Sequence, residues 1–477
     1  MNLIGRKREL EILEKFWEGD GYDLGVVYGR RRIGKSYLLK YFSEGKNAVM
    51  FQATTNEESN LRALAGEISS LFPVSSSVVY SSYEDAFDDM AELAKDEKIL
   101  FVIDEVSFLE ESNRDILSII QKYSDTVFTD TKLKLILCSS MESFMVERIL
   151  GGKTPLFGRS SMRLKLRALK PQDTSSFFPS WGLSELSRAY VITGGVPYYL
   201  TRLARYGTFE EALNAEFFTL GGALLSEPYL LLYSEVRSVD SYMALMSLIA
   251  EGVNRTSKLS DKAGISQALC SSMLKKLENL SFVSERRNAV INTKVQGWEI
   301  EDNFLAFWFR SIYPARTAVE LDNASPFLTE TLNGLDEFTG KRIEETIRQY
   351  IVNTSPVPIR EYGFLEFANP VERKNEEIDF VALTSGGEYI FGEFKWRERE
   401  TGMGELENLK RKAVLAVSGK PVWGYYLVSL SGFSSSLIQA AETDEKIHLV
   451  EGKAVFGFNV NPLLSGIPLA CPAGGAE

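Results

Sequence analysis

The stretch that decides the fold is Gly29–Ser36, GRRRIGKS, which lies between the apolar run Leu24–Tyr28 and the helical pattern YLLKYF. An apolar strand, a glycine-rich loop ending in Lys-Ser and a helix form the setting in which proteins bind the phosphates of a nucleoside triphosphate. Glycines at the first and sixth positions let the backbone turn tightly and point N–H groups at phosphate oxygens. The sequence therefore predicts a phosphate-binding loop that follows a strand of an α/β sheet.

The residue types in this loop suggest a division of roles. Lys35 is expected to reach the β and γ phosphates of ATP, and Ser36 to offer its hydroxyl to Mg²⁺ at the positive end of the following helix. The alternative is a glycine-rich turn with an exposed lysine. The other predicted contacts to ATP are the rest of the loop and the first helical residue beyond it: Gly29, Arg30, Arg31, Arg32, Ile33, Gly34 and Tyr37.

Composition narrows the possible classes of protein. The 477 residues predict roughly three domains, and a net charge of -12 argues against indiscriminate coating of nucleic acid while leaving room for local basic surfaces. Three scattered cysteines, Cys138, Cys270 and Cys471, predict neither a disulfide framework nor a zinc site. The single histidine, His448, excludes any mechanism that needs several imidazoles. Because Met1 leads into a polar segment and no run of ~18 apolar residues follows, we expect a cytoplasmic protein without a membrane span.

The order of patterns along the chain predicts several domains. Apolar, β-rich runs alternate with helical patterns at the start, which is typical of βαβ units and a parallel sheet. The predicted segments are an α/β core over 1–168, a helical region over 169–240, a winged helix-turn-helix over 241–312, a linker over 313–335, a second α/β unit over 336–462 and a frayed tail over 463–477.

Two later strand ends carry polar side chains suited to ATP hydrolysis. ILFVIDEVSFL is an apolar strand that delivers Asp104 and Glu105 to its carboxyl end. We expect Asp104 to bind Mg²⁺ and Glu105 to activate the attacking water. The next strand, LKLILC, ends at Ser139 and Ser140, a position for a polar sensor of the γ-phosphate, with Ser139 as the predicted contact. Charged and polar surface residues at ordinary strand ends are the competing interpretation.

Six tracts in order resemble the archaeal ATPase family, in the MNS branch of the STAND class of AAA-related NTPases. They are LIGRKREL, GRRRIGKS, FVIDEVSFL, LCSS, PLFGRSS and TGGVPYYL. The resemblance implies an AAA-like parallel sheet with a helical lid. It also implies that Gly5 and Arg6 lie against the nucleotide base and that Pro197 packs the lid near the nucleotide. By the same resemblance, Arg159 is a candidate arginine finger or relay, in cis or from a neighbour in a homo-oligomer; a basic, solvated strand face is the alternative.

The predicted winged helix is locally basic. Residues 255–294 hold eight basic and three acidic side chains. Arg286 and Arg287 would lie near a wing able to reach a DNA backbone, and Ser266, Gln267 and Ser271 would begin the recognition helix. A winged module that serves only as a lid or domain adaptor is equally compatible with this pattern.

A second group of charged residues lies near the C-terminus. Asp379 ends EEID, and Glu393 and Lys395 share one face of the strand EFK, so two carboxylates and an ammonium can converge on paired strands. Such a group can bind Mg²⁺ through its two carboxylates while the lysine stabilises a hydroxide that attacks a phosphodiester. This tract resembles the family's C-terminal domain, a fold similar to the PD-(D/E)XK restriction-endonuclease superfamily, which adds Glu344 as the leading acidic residue. A solvated strand face remains the alternative.

Two functions of different classes follow from these patterns. The first is an ATP-driven enzyme whose nucleotide state licenses DNA cleavage. The second is an ATP-regulated scaffold that binds DNA or a partner without cutting it. The four charged residues of the C-terminal unit favour the first, and the acidic net charge favours the second.

Overall fold

The computed structural model describes residues 3–71, 79–233, 235–291, 295–369 and 372–466. They form two compact units. The first comprises residues up to Leu169 together with Val196–Tyr198, and the second comprises the rest of the chain. Cys471 and Lys294, as well as most of the predicted tail, lie outside the described residues.

The first unit alternates strands and helices as the sequence predicts. Its elements are α1 (Lys7–Glu18), β1 (Asp23–Tyr28), α2 (Lys35–Ser43), β2 (Ala48–Gln52), α3 (Glu57–Leu71), α4 (Tyr83–Asp96), β3 (Ile99–Asp104), α5 (Val106–Ser112), α6 (Ile116–Asp125), β4 (Leu133–Ser139), α7 (Glu142–Phe144) and β5 (Ser160–Lys165).

The strands of this unit form a parallel sheet in the order β2-β3-β4-β1-β5. β3 and β4 are buried along their whole length because helices cover both faces, and their sequences are correspondingly near-continuous apolar runs. Parallel alignment brings the carboxyl ends of β1, β3 and β4 to one edge. The loop after β1 and the polar residues after β3 and β4 therefore meet there.

The second unit begins with helices. They are α8 (Pro171–Thr174), α9 (Leu183–Thr193), α10 (Pro197–Leu203), α11 (Phe209–Phe217), α12 (Glu227–Tyr233), α13 (Val239–Ala250), α14 (Thr256–Ala263) and α15 (Gln267–Asn279), followed by the antiparallel hairpin β6 (Val283–Arg287) and β7 (Val295–Ile300). The segment from α13 to β7 has the helix and strand order expected from the sequence.

The remaining elements are the strands of a mixed sheet and the helices around it. They are α16 (Asn303–Phe307), α17 (Arg316–Glu320), α18 (Ser325–Thr354), β8 (Ile359–Asn369), β9 (Lys374–Thr384), β10 (Tyr389–Lys395), α19 (Met403–Val417), β11 (Val422–Ser429), α20 (Ser435–Thr443), β12 (Ile447–Glu451) and α21 (Gly452–Val455). The sheet order is β12-β11-β10-β9-β8, with parallel pairing from β10 to β12 and antiparallel pairing from β8 to β10. The described residues are thus α/β, with two five-stranded sheets and the two-stranded β6–β7 hairpin.

Two details differ from the expected organisation. The predicted linker over 313–335 contains α17 and the start of α18, because Leu335 and neighbouring apolar residues give this stretch a buried helical face. β8 was not predicted, since most of its residues are half-buried or exposed and Arg360, Glu361 and Glu366 interrupt its apolar residues. No helix in the described ranges has the length and apolar character needed to cross a membrane.

Candidate nucleotide site and nuclease-like site

The loop between β1 and α2 has the backbone that its glycines predict. Gly29 has φ 150°, and a Cβ there would lie 2.5 Å from the carbonyl oxygen of Leu166. Gly34 has φ 91° at the start of α2, and Arg32 also has positive φ. Only glycine fits the first position. The left-handed backbone at Arg32 and Gly34 then leads the loop into the first turn of α2.

Lys35 lies inside this loop. Its Nζ donates hydrogen bonds to the carbonyl oxygens of Gly29 at 2.9 Å and Arg30 at 3.2 Å. Burial lowers the pKa of the Lys35 ammonium, and the nearby carboxylates of Glu105 and Asp104 oppose that shift. A buried ammonium held at the loop is placed to compensate phosphate charge.

Ser36 and Asp104 meet at the carboxyl edge of the sheet. The Ser36 hydroxyl donates to Asp104 Oδ2 at 2.5 Å, although 68 residues separate them in sequence. A hydroxyl beside a carboxylate provides two hard oxygen ligands of the kind that Mg²⁺ prefers. The structure thus brings together two of the predicted metal ligands, and their donor chemistry fits Mg²⁺.

Glu105 directly follows this carboxylate in a left-handed conformation, with φ 56°. Its side chain accepts from the Ser140 hydroxyl at 2.7 Å and from the Ser140 backbone N–H at 3.1 Å. Ser139 is fully buried and lies 3.5 Å from the same carboxylate. The polar end of β4 therefore orients Glu105, and Ser140 contributes more of this contact than the predicted Ser139.

The predicted residues around the loop lie at different distances from it. Arg6 donates from Nη2 to the Ile33 carbonyl oxygen at 3.0 Å, so this N-terminal residue packs on the loop. Pro197 lies 3.9 Å from where a Cβ on Gly34 would be. The Arg32 guanidinium lies 4.2 Å from the centre of the Tyr198 ring. Gly5 has a left-handed backbone, with φ 68°. Arg31 and Tyr37 are exposed. Contact between a nucleotide base and Gly5 or Arg6 stays a prediction.

Arg159 is not part of this group. It precedes β5, and β5 runs parallel to β1, so Arg159 lies at the amino edge of the sheet while the phosphate loop lies at the carboxyl edge. Its guanidinium makes a two-point ion pair with Asp125, at 2.7 and 2.8 Å. Of the two alternatives for Arg159, action in cis does not fit this conformation, because the strand length separates Arg159 from the loop; action from a neighbour stays a prediction.

The C-terminal group assembles where two strands part. β9 and β10 pair as far as Phe380 with Gly392, and the next position on β9 is Asp379. There, Asp379 Oδ2 accepts the backbone N–H of Phe394 at 2.7 Å. A side chain thus takes the place of a strand-to-strand hydrogen bond, which leaves the carboxylate at the opening between the strands.

Two lysines hold Glu393, which is itself buried. Lys395 Nζ lies 2.7 Å from Glu393 Oε1, as their shared strand face predicts. Lys412, on α19, lies 3.0 Å from Glu393 Oε2 and donates to the carbonyl oxygen of Glu377 at 2.7 Å. In the sequence, Lys412 is only the last residue of the basic run Lys410–Lys412, and its contact with Glu393 was not predicted.

Glu344 joins this group from α18. Arg348, one turn later, donates to Glu344 at 2.6 Å and to the Asp379 carbonyl oxygen at 2.7 Å. Burial first, and then the charges of Glu393 and Glu344, raise the pKa of Asp379 to about 7. Burial likewise raises the pKa of Glu344. Arg348 was not predicted, although its spacing of four residues from Glu344 is the signal that could have found it.

The three carboxylates are close enough to affect one another but are not arranged around a common point. Within the described ranges, no group of three or more acidic, histidine or cysteine side chains has the geometry to hold a metal ion. Their oxygen chemistry suits Mg²⁺, but ammonium groups contact both carboxylate oxygens of Glu393. This arrangement of the C-terminal group therefore does not fit a bound metal.

The β6–β7 hairpin, predicted to form a wing, contacts β8 and β9 within the second unit. Arg286 pairs with Glu366 at 2.5 Å and Glu377 at 3.0 Å, and the Ala289 N–H donates to the Phe364 carbonyl oxygen at 3.0 Å. A cleft of about 1320 Å³ lies between α15, this hairpin and β8. Arg286 was expected to reach a DNA backbone; here its charge is compensated by carboxylates of the same chain.

Comparisons of sequence agree with the nucleotide site. Residues 3–203 match an ATPase domain found predominantly in Archaea, and residues 308–411 match a family described as archaeal and bacterial proteins of unknown function. An uncharacterized protein of Methanocaldococcus jannaschii is 28% identical over 399 residues, covering 83% of this chain and 88% of that protein. An uncharacterized ATP-binding protein of the same organism is 49% identical over 43 residues, covering 9% of this chain and 73% of that protein.

A comparison of structures agrees with the fold. A Walker-type ATPase of Pyrococcus abyssi, 20% identical in sequence, superimposes with a TM-score of 0.51 and covers 65% of this chain and 96% of that chain. At this level of identity, the similarity between the two proteins shows a shared fold alone. Taken with the phosphate loop and the carboxylates that follow β3, the sequence matches show that the chain belongs to the archaeal ATPase family of P-loop ATPases.

Proposed function

We propose that this ATPase is a Mg²⁺-dependent molecular switch in which Lys35, Asp104 and Glu105 carry out hydrolysis. The observation that carries the proposal is the meeting of Ser36 with Asp104 and of Glu105 with Ser140 at one sheet edge. When bound by Ser36 and Asp104, Mg²⁺ would neutralise charge on the β and γ phosphates. Lys35 compensates further phosphate charge from within the loop.

Glu105 is the residue we assign to water activation. Its carboxylate is oriented by neutral donors, the hydroxyl and N–H of Ser140, so its negative charge is retained for accepting a proton. The attacking water would give its proton to Glu105 as its oxygen adds to the γ-phosphorus. Ser140 would then act as a positioning residue that fixes the direction of the carboxylate.

We assign Arg159 a role at the nucleotide site of a neighbouring subunit. Its position at the amino edge of the sheet, paired with Asp125, suits contact with a second copy of the chain. In a homo-oligomer, this guanidinium could stabilise phosphate charge at the neighbour's site. Mass measurement with and without ATP tests this; a monomer under both conditions would contradict the role in trans.

For the C-terminal domain, we propose DNA cleavage by Glu344, Asp379, Glu393 and Lys395, in an arrangement other than the one described above, since that one does not fit a metal. Support comes from the opening between β9 and β10, where Asp379, Glu393 and Lys395 lie together. Residues 241–312 would be a winged helix that binds the DNA, with Gln267 and Ser271 on the exposed side of the recognition helix α15. The nucleotide state would license cleavage.

A plasmid-nicking assay tests the nuclease proposal. We expect nicking with Mg²⁺ or Mn²⁺ that depends on ATP, and loss of at least about 100-fold in Lys395→Ala, because the ammonium stabilises the attacking hydroxide and the developing charge. Lys410→Ala is the matched control, since Lys410 lies on α19 and pairs with Asp444 instead of the acidic group. Nicking that survives Lys395→Ala would contradict the site.

The second candidate function is an ATP-regulated scaffold that binds DNA or a partner without cutting it. The docking of the wing through Arg286, and the two lysines on Glu393, favour this interpretation, because both compensate charges that cleavage requires free. The same plasmid assay distinguishes the two functions. A scaffold would shift DNA in a gel while leaving it intact under every metal and nucleotide condition.

A further inference from the structure

Lys412 is the basic residue whose position the proposed reaction does not explain. Its side chain is largely buried and its Nζ contacts three oxygens: Glu393 Oε2 at 3.0 Å, Glu393 Oε1 at 3.3 Å and the Glu377 carbonyl oxygen at 2.7 Å. All three are oxygens of β9 and β10, beside Asp379. The ammonium therefore lies among the hard oxygen donors that a divalent cation would seek.

Cations of this chain already lie against the acidic group without a metal. The carboxylates of Glu344, Asp379 and Glu393 face the cations of Arg348, Lys395 and Lys412. Arg348 is tied to Glu344, and Lys395, the more exposed of the two lysines, touches a single oxygen of Glu393. Of these three cations, Lys412 alone contacts both oxygens of Glu393 and a carbonyl oxygen of the adjacent strand, so a metal bound by these oxygens would have to take its place.

We propose that Lys412 is a positioning residue that occupies the cation position of the nuclease-like site, so that a divalent metal binds there only when the Lys412 ammonium is displaced. The proposal rests on the nuclease function argued above. It also accounts for the lack of a metal-holding group among the described side chains: Glu393 is turned towards its lysines. Lys412 thereby sets the metal affinity of the site.

Calorimetric titration of the full chain with Mn²⁺ provides the test. Lys412→Met keeps most of the side-chain stem and removes the charge, and we expect it to bind Mn²⁺ at least about tenfold more tightly than the unmodified chain, because a like charge within ~4 Å of a cation is strongly unfavourable. Lys412→Gln should behave similarly. Lys412→Arg keeps the charge and should stay near the unmodified affinity.

Two controls separate this site from the rest of the molecule. Lys410→Met removes a charge from the same helix at a residue paired with Asp444, and should leave Mn²⁺ affinity unchanged. A chain with Asp379→Asn and Glu393→Gln together gives the heat that arises at the nucleotide site. ATP turnover and a melting curve report whether each variant is folded.

The outcomes distinguish the inference from the function on which it rests. Tighter Mn²⁺ binding in both neutral variants supports the role of Lys412, even where nicking is absent and the nuclease function therefore fails. Equal or weaker binding in the neutral variants, with measurable binding by the unmodified chain, overturns the role of Lys412 alone. Binding no greater than in the double variant, for every chain, overturns both.

Discussion

The two charged sites of this protein hold a glutamate in opposite ways. In the ATPase core, Glu105 is oriented by the hydroxyl and N–H of Ser140, which carry no net charge. In the C-terminal domain, Glu393 is held by the ammonium groups of Lys395 and Lys412. Neutral donors fix a carboxylate while leaving its charge available, whereas ammonium ions fix it and compensate the charge. For the functions proposed above, Glu105 would act as it stands, whereas Glu393 would act only after its cations have moved.

The largest effects should come from removing charge at the first site. Lys35→Ala should abolish ATP binding or turnover, and Glu105→Gln should bind ATP while hydrolysing it at least about 100-fold more slowly, since a neutral amide cannot accept the proton. Equilibrium binding of a fluorescent ATP analogue, together with phosphate release, separates the two variants. Turnover retained in both would refute these roles.

The second prediction concerns stability at the C-terminal site. Asp379 has a pKa of about 7 in the folded chain, raised by burial, against 3.8 as its ordinary value. As pH rises from about 4 to 7, the unfolded chain releases this proton and the folded chain retains it, so folding stability falls and then levels above pH 7. Asp379→Asn should therefore stabilise the domain at pH 8 by about 1–3 kcal/mol and change little at pH 4.

Thermal unfolding at both pH values measures this effect. Glu372→Gln is the matched control, because Glu372 is half-exposed and lies in an ion pair with Lys374 at the start of β9. It should show no such dependence on pH. A stabilisation by Asp379→Asn that is equal at pH 4 and pH 8 would show that the buried charge is not its cause.

The third prediction tests the neutral donors of the first site. Ser140→Ala removes the hydroxyl that contacts both oxygens of Glu105 and leaves the backbone N–H in place. We expect turnover to fall about tenfold, equivalent to ~1.4 kcal/mol, with ATP affinity unchanged, because one hydrogen bond to a charged group is lost. Ser43→Ala, at an exposed helix end, should leave turnover unaffected.

The smallest predicted effect concerns the contact between the β6–β7 hairpin and β8. Arg286→Ala removes the ion pairs with Glu366 and Glu377 and should lower the free energy of unfolding by only about 1 kcal/mol, since these groups are partly exposed. Hydrogen exchange at the Ala289 amide should nevertheless accelerate, because its bond to Phe364 lies in the same contact. Arg287→Ala, whose partner Glu285 is in the same strand, should leave that exchange rate unchanged.

The fold around the predicted nucleotide site was predictable because the sequence signal there is local. The loop Gly29–Ser36 and the strand end Asp104-Glu105 each lie beside an apolar strand, and the parallel sheet was confirmed. Parallel strands bring such ends to one edge whatever the detailed packing. The predicted pairing of Glu393 with Lys395 follows the same logic, since residues two apart share a strand face.

Long-range contacts were harder to predict. Lys412 reaches Glu393 only because α19 packs against the sheet, and Arg286 reaches Glu366 only because the hairpin docks on β8. For Arg159, the motif does not say at which end of the strand the side chain lies, so cis and trans action could not be told apart from sequence. In each case the contact depends on how one helix or strand packs against another, and the periodicity of the sequence does not specify that packing.

The continuous helix α18, Ser325–Thr354, sets how the C-terminal domain can be separated from the rest of the chain. Its buried residues include Leu335 and Phe338, and it carries Glu344 into the acidic group. Cutting at the expected domain start, residue 336, would divide the helix and leave an apolar face unsupported. A fragment that begins before Ser325 keeps the whole helix, so the practical boundary for expressing this domain lies in the turn between α17 and α18.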